Sequence, residues 1–440
     1  MSGITRNPQS TGVRGQRYAG FSTLLVWLMI GVMILPSGLD YRNLGLDDTA
    51  NPVTRGIMIF ILLGSLWCVV ARTGQTVRLL KGSNPFFVAF ILLAVASTVW
   101  SIDPALTGRR LLRMLIQSST FLVLAVAAWE RQRFQNVLRP ALTVLLLGSL
   151  IFGWISPELA IHQENSPELK NAWHGLATQK NILGAIASFG CIFWLHAAIA
   201  KSASRLAVLV GICSSLACLL LSRSSTSLMA TVFSCSTMFL MMWTPGSMRR
   251  SMPYLVTSLS VVALLYALAM LKVVPGLDIL LSPIPLITGK DLTFSGRSEI
   301  WAAVVNHIRW RPLLGSGYGA FWSGPIPGTE SYPIKATLFG FYPGSAHNGY
   351  LDVINDIGAF GFVCLVAYLL RYVADALRLY KIDRSQGALF IAVFMQQTMG
   401  NLSESGWFNV TNIEFIVMSM ATLSLARSLL ETRSLVPRGR

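Results

Sequence analysis

Apolar runs of membrane-spanning length follow one another from Phe21 to about Leu430, separated by short polar connections. Runs near 20 residues with few charges predict hydrophobic α-helices, because only a helix satisfies every backbone N–H and C=O within the segment. The pattern predicts twelve, near 21–36, 55–71, 84–101, 111–129, 136–155, 182–200, 206–222, 226–243, 253–274, 349–372, 386–402 and 410–430. One long interruption breaks the rhythm, from about Gly276 to Ala346. The chain therefore divides into an N-terminal tail (1–20), nine helices (21–275), an extramembrane insert (276–346), three helices (347–432) and a tail (433–440). Within that last tail, Leu435-Val436-Pro437-Arg438-Gly439 resembles a protease-cleavable tag remnant. The insert is where specific chemistry is expected, since connections elsewhere are short.

Composition agrees with an all-α polytopic membrane protein. The chain is 53% hydrophobic and 12% charged, against about 25% charged for an ordinary soluble domain. Its formal charge of +16 suggests anionic partners, but no basic stretch is interleaved with aromatics, so nucleic acid is not expected. The six cysteines all fall within apolar runs without metal-ligand spacing and read as small buried hydrophobes.

The distribution of short-loop cations gives the topology. Arg6, Arg14 and Arg17 precede the first run, and Arg72, Arg78 and Lys81 lie in the next loop on the same side. Arg131, Arg133 and Arg139, Lys201 and Arg205, Arg249 and Arg250, and Arg378, Lys381 and Arg384 continue the series. The intervening short loops are acidic or sparse, with Asp40, Asp47, Asp48, Glu158, Glu164, Glu168 and Glu404. The positive-inside rule then predicts cytoplasmic termini and an insert on the opposite face.

Three groups of arginines break this pattern: Arg109, Arg110 and Arg113 after the third run, Arg223 in a short Ser-rich hairpin, and Arg297 in the insert. Headgroup anchoring accounts for the first group as well as function does. Arg223 must lie near bilayer level, where a cation is costly unless it is paired or binds something. On the same face, helix N-termini point outward with free N–H groups. Ser224, Ser225 and Thr226 are good N-caps, Lys180-Asn181 and His347-Asn348 open helices, and Ser295 can cap a short helix over 298–308. Arginines beside helix N-termini make an anion site, above all for phosphate. No Walker loop or dinucleotide glycine pattern is present, and Gly315-Ser316-Gly317-Tyr318-Gly319 reads as a flexible turn.

His347 is the best candidate for proton transfer. A helix start disfavours the imidazolium and leaves a neutral, basic ring. His162 and His196 read as structural, and His307 as a surface or packing residue on the insert's helix. Asp352 and Asp356, at i,i+4 spacing, either line the cavity or serve as a satisfied polar helix end. No carboxylate cluster suits a divalent metal, so neither metal nor cofactor is expected and cations would take the place of Mg²⁺.

Several short motifs occur in one order: Ser222-Arg223-Ser224, Gly296-Arg297-Ser298-Glu299-Ile300-Trp301, Pro312-Leu313-Leu314-Gly315-Ser316-Gly317, Ala346-His347-Asn348-Gly349-Tyr350-Leu351-Asp352, then Gly358 and Gly361. This set, over roughly 170–420, resembles the O-antigen ligase and Wzy-type polysaccharide polymerase superfamily. The resemblance implies a GT-C-like glycosyltransferase of the bacterial inner membrane, acting on the periplasmic face. It implies a glycan donor carried on undecaprenyl diphosphate and, as acceptor, a sugar hydroxyl of a growing glycan or of lipid A core. It further implies that Arg223 and Arg297 clamp the diphosphate and that His347 assists the acceptor hydroxyl, with Lys180, Asn348, Asp352, Arg109 and Arg110 as supporting candidates.

Within the superfamily, Gly175-Leu176-Ala177-Thr178-Gln179-Lys180-Asn181 resembles a segment of succinoglycan-type exopolysaccharide polymerases, in which His usually stands where Gln179 does here. A polymerase is the first expectation and a ligase to lipid A core the alternative. A transporter or flippase is the third, though the chain shows no internal repeat and the candidate site sits at a rim rather than the bilayer midplane.

Overall fold

The computed structural model describes residues 13–36, 39–41, 51–127, 129–164, 169–245, 251, 254, 255, 258, 297–337 and 342–435. They form helices, with a lone antiparallel bridge pairing Ile161 and Trp173. Helices occupy eleven of the twelve expected positions, and 253–274 lies outside the described residues apart from three isolated positions. Among the described residues six helices are long and apolar enough to cross a membrane, or seven if one bent pair is counted as a span. The protein is an all-α polytopic membrane protein.

Side-chain caps in local sequence start many of these helices. Asn51-Pro52 opens α2 (Pro52–Ala71), Asn84-Pro85 opens α4 (Pro85–Ala96) and Asp103-Pro104 opens α5 (Pro104–Val126). Each Asn or Asp accepts from a backbone N–H of the first turn, and Pro at the first helical position loses no intrahelical bond. Ser204, Ser224 and Asp383 cap α9 (Arg205–Leu221), α10 (Ser225–Trp243) and α14 (Arg384–Gly400) in the same way. The remaining long helices are α1 (Val13–Ile34), α6 (Arg133–Ile155), α8 (Lys180–Ile199), α13 (Gly349–Ile382) and α15 (Ile413–Leu435).

α14 and α15 are buried on nearly every side, as helices without a polar face must be. α8, α10 and α13 pack around them. α2 presents Ile59, Phe60, Leu63, Leu66, Trp67 and Val70 outward, an apolar face suited to hydrocarbon rather than water.

Three expectations change. α5 begins at Pro104 rather than near 111, so Arg109 and Arg110 lie on its first turns, with Arg113, instead of in a connection. The last helix before the 383 loop continues to Ile382 rather than ending near 372. A further short helix, α3 (Thr73–Gly82), fills what read as a loop and meets the α4 segment at 103°.

In the insert, α11 (Arg297–Ile308) falls where a short helix was expected, while Ser295 lies outside the described residues. A second insert helix is α12 (Tyr332–Thr337), and α7 (Pro157–Ala160) follows α6. The segment Gly315–Gly319 is pinned rather than free. Ser316 and Gly317 donate their N–H groups to the carbonyls of Asn355 and Asp356, Gly319 donates to the Asp356 carboxylate, and Tyr318 is buried with its hydroxyl on the Phe408 carbonyl. These bonds are available because α13 breaks at Gly358, whose φ of 69° leaves carbonyls of the preceding turn unpaired within the helix. Sequence showed two glycines there but not that a second chain segment would occupy the break.

Candidate active site

The site is assembled at the end of the bundle where α13 begins. Asn348 caps this helix, accepting from the N–H groups of Tyr350 and Leu351 at 3.1 Å. Asp352, on the first turn, accepts from the Ala346 N–H, the Trp322 indole and the Ser405 hydroxyl. Gly349 donates its N–H to the carbonyls of Asn401 and Glu404, and a Cβ there would overlap the Asn401 side chain. Asn401 Oδ1 in turn accepts from the N–H groups of Gly406 and Trp407. Two loops distant in sequence, 344–349 and 401–407, are thus locked together. His347 sits between them in a left-handed conformation with φ of 47°, a backbone state that only surrounding contacts can hold in a non-glycine residue.

The carboxylate of Glu404 is where the site converges. His347 Nδ1 lies 3.3 Å from Oε2, Arg297 Nη2 donates to Oε1 at 3.1 Å, and Asn181 Nδ2 donates to Oε1 at 2.6 Å. The side chains of Arg297, His347 and Glu404 are each about one-fifth exposed, at 21% for Arg297 and His347 and 19% for Glu404. They are shielded from bulk water but reachable from it, a setting in which charge–charge interactions are stronger than at an open surface. A carboxylate on Nδ1 selects the tautomer protonated there and leaves Nε2 as the basic nitrogen.

His347, Glu404 and Asn181 line a cavity of about 1400 Å³. Arg113 of α5 and Met33 of α1 contribute to it, as do Asn409, Asn412 and Glu414 beyond Glu404. Another part of the wall is the 158–182 connection, with Glu158, His162, Glu164, His174 and Gln179. There the rings of His162 and His174 meet at 5.0 Å, His162 pairs with Glu164, and His174 bonds the Ala177 carbonyl. Burial pushes the His174 imidazole below its ordinary pKa, which favours the neutral ring. Among the described residues no group of three or more His, Cys, Asp or Glu side chains is arranged to hold a metal ion.

The expected residues are thus partly brought together. Arg297 and His347 meet through Glu404. Arg223, at φ 50°, donates to the Lys170 carbonyl at 3.0 Å, and neither it nor Arg297 lines the cavity. Arg223 lies next to the α10 cap, and α10 is tied to the Glu404 loop by the bond from Ser403 to Thr226. Lys180 begins α8 beside Asn181. Arg110 donates to the Trp322 carbonyl and holds the insert, whereas Arg109 is exposed. Asn348 and Asp352 shape the loop that presents His347. His196 is a buried structural residue bonded to Ser385, and His307 packs on Phe321 with its ring bonded to Ser316. Glu404, His174 and Glu414 are cavity residues that the sequence did not single out. Glu404 stood only among sparse acidic loop residues, and nothing local marks its distant partners.

Residues 208–366 match the family model described as O-antigen ligase. The chain is also 26% identical over 326 residues to the exopolysaccharide production protein ExoQ of Rhizobium meliloti (strain 1021), covering 69% of this chain and 68% of that protein. Over these stretches the chain is similar to the O-antigen ligase family and to an exopolysaccharide production protein. The family match spans Arg223, Arg297 and His347 and stops short of Glu404, which reaches the site from the far side of α14.

Proposed function

We propose that the protein is a membrane glycosyltransferase that moves a glycan from a polyprenyl-diphosphate carrier to an acceptor sugar hydroxyl. The observation that carries this reading is that Glu404, which with His347 lines a cavity large enough for sugar units, joins His347 to Arg297 through its carboxylate. His347 Nε2 takes the acceptor proton as the hydroxyl oxygen bonds to the anomeric carbon and the carbon–oxygen bond to the diphosphate breaks. Glu404 stabilises the imidazolium formed, and Arg297 and Arg223 balance the charge left on the departing diphosphate. Cations and helix N-termini supply the positive field, so no divalent metal enters the mechanism.

The loop cations support cytoplasmic termini, with this end of the bundle facing the periplasm and twelve spans in all. Likeness to an exopolysaccharide production protein favours polymerisation. The family description as O-antigen ligase supports the second reading, transfer to lipid A core. The test is purified protein with a lipid-diphosphate oligosaccharide, with and without lipid A core. Chain growth without core indicates a polymerase, product on the core a ligase, and no glycosidic bond in either arm overturns both.

A further inference from the structure

A second cavity, of about 220 Å³, lies at the opposite end of the bundle and takes no part in the proposed reaction. Its lining comes from the elbow between α3 and α4 (Lys81, Ser83, Pro85), from α13 (Arg371, Asp375) and from α15 (Ala426, Leu430). α15 starts at the His347 end, where Glu414 lines the large cavity. It has travelled roughly 25 Å by Leu430, at 1.5 Å per residue, which is close to the thickness of a bilayer's hydrocarbon core.

The elbow has the features of a helix lying in a membrane interface. α3 turns 103° from the α4 segment. It buries Thr76 and Leu79 against the protein, exposes Val77 and Leu80, and carries exposed Arg78 and Lys81 on another stripe. Apolar and basic stripes side by side suit the boundary between acyl chains and headgroups. An aromatic cluster marks the same level: Tyr18 stacks on exposed Trp67 at 5.4 Å, with the Arg72 guanidinium 5.0 Å from the Tyr18 ring.

The charge in the cavity is set for an anion. Both oxygens of Asp375 are engaged, Oδ2 by Arg371 at 2.8 Å and Oδ1 by Arg378 at 2.9 Å. That offsets its repulsion toward a phosphate and leaves cationic charge in excess. Lys81 makes no ion pair among the described residues and faces the same cavity. Leu429, Leu430 and Pro85 supply apolar wall beside these cations, and exposed Phe86 and Leu92 continue the apolar surface along α4.

We propose that this cavity binds the phosphodiester headgroup of one anionic phospholipid, with its acyl chains along the exposed face of α4. Lys81, near the end of α3, and Arg371, on α13, take the phosphate at headgroup depth.

The test is native mass spectrometry of the full-length protein in detergent titrated with phosphatidylglycerol, phosphatidylcholine or inorganic phosphate. Wild type is expected to retain one phosphatidylglycerol in preference to phosphatidylcholine. Lys81→Glu is expected to weaken retention roughly tenfold or more, on the scale of juxtamembrane basic residues at anionic lipid. Lys81→Arg should bind as wild type, which separates loss of charge from misfolding, and Lys170→Glu on another surface should have no effect. Equal retention of both lipids, or unchanged retention by Lys81→Glu, overturns the proposal. Protection by inorganic phosphate without retention of phosphatidylglycerol overturns it in favour of a soluble anion. None of these readouts depends on glycosyl transfer.

Discussion

His347 Nδ1 and Glu404 Oε2 lie 3.3 Å apart although 57 positions separate them in the chain. One residue precedes the Asn348 cap of α13 and the other follows α14, and only the docking of the 344–349 and 401–407 loops brings them together. A carboxylate-oriented imidazole on a cavity wall is an arrangement for moving a proton.

His347→Ala is therefore expected to lower turnover by about 10²–10⁴-fold while the donor lipid still binds. Glu404→Ala should also be impaired, and the double variant should be no worse than His347→Ala alone, because the two residues act as one unit. Steady-state kinetics with donor-binding measurements check this. Additive losses in the double variant would separate the two residues, and loss of donor binding by His347→Ala would make the histidine a phosphate ligand.

Arg297→Ala and Arg223→Ala should each come close to abolishing transfer, each lost contact raising the barrier by about 2–4 kcal/mol. Lysine at either position should restore activity only in part, because it lacks the guanidinium fork. Wild-type turnover by Arg223→Ala would confine that residue to its bond with the Lys170 carbonyl.

Activity should persist in excess chelator. Turnover that vanishes with chelator and returns with Mg²⁺ or Mn²⁺ would require a metal at the diphosphate.

Gly358→Val should destabilise the protein rather than impair binding alone. The position has φ 69° and ψ −164°, and a Cβ would overlap the Leu313 carbonyl. Backbone strain of this kind costs on the order of 1–3 kcal/mol. A fall in thermal midpoint with reduced yield is the expected outcome, and an unchanged midpoint would show that the break in α13 tolerates a side chain.

The His174 wall should lose stability in mild acid. Its folded-state pKa lies below the ordinary imidazole value, so the unfolded chain binds the proton more readily. Stability attributable to this group is full above the unfolded pKa of about 6.5 and falls as the pH drops through it. His174→Gln should flatten that acid limb in a comparison of thermal midpoints across pH. An identical acid limb in the variant would assign it to other groups.

Helices and several of their starts were legible because they depend on local sequence. Runs of apolar residues and the Asn348 cap act over a few residues. Errors came where a local rule met a tertiary one. α3 reads as a polar loop until its Thr76 and Leu79 find partners in the bundle, and Gly315–Gly319 reads as free until the break at Gly358 offers it unpaired carbonyls.

Sequence alone determined that this chain is a helical membrane protein, that Arg223, Arg297 and His347 stand out, and which superfamily its motifs resemble. Those properties reside in hydrophobic periodicity, in the cost of a charge near the bilayer and in short contiguous motifs. Tertiary structure decided that Glu404 links Arg297 and His347 and that Arg223 sits outside the cavity that His347 and Glu404 line. It also decided that Lys81 and Arg371 share a second cavity. An ion pair spanning 107 positions leaves no periodicity to read; it exists only once packing of the helices has brought the two side chains within a few ångströms.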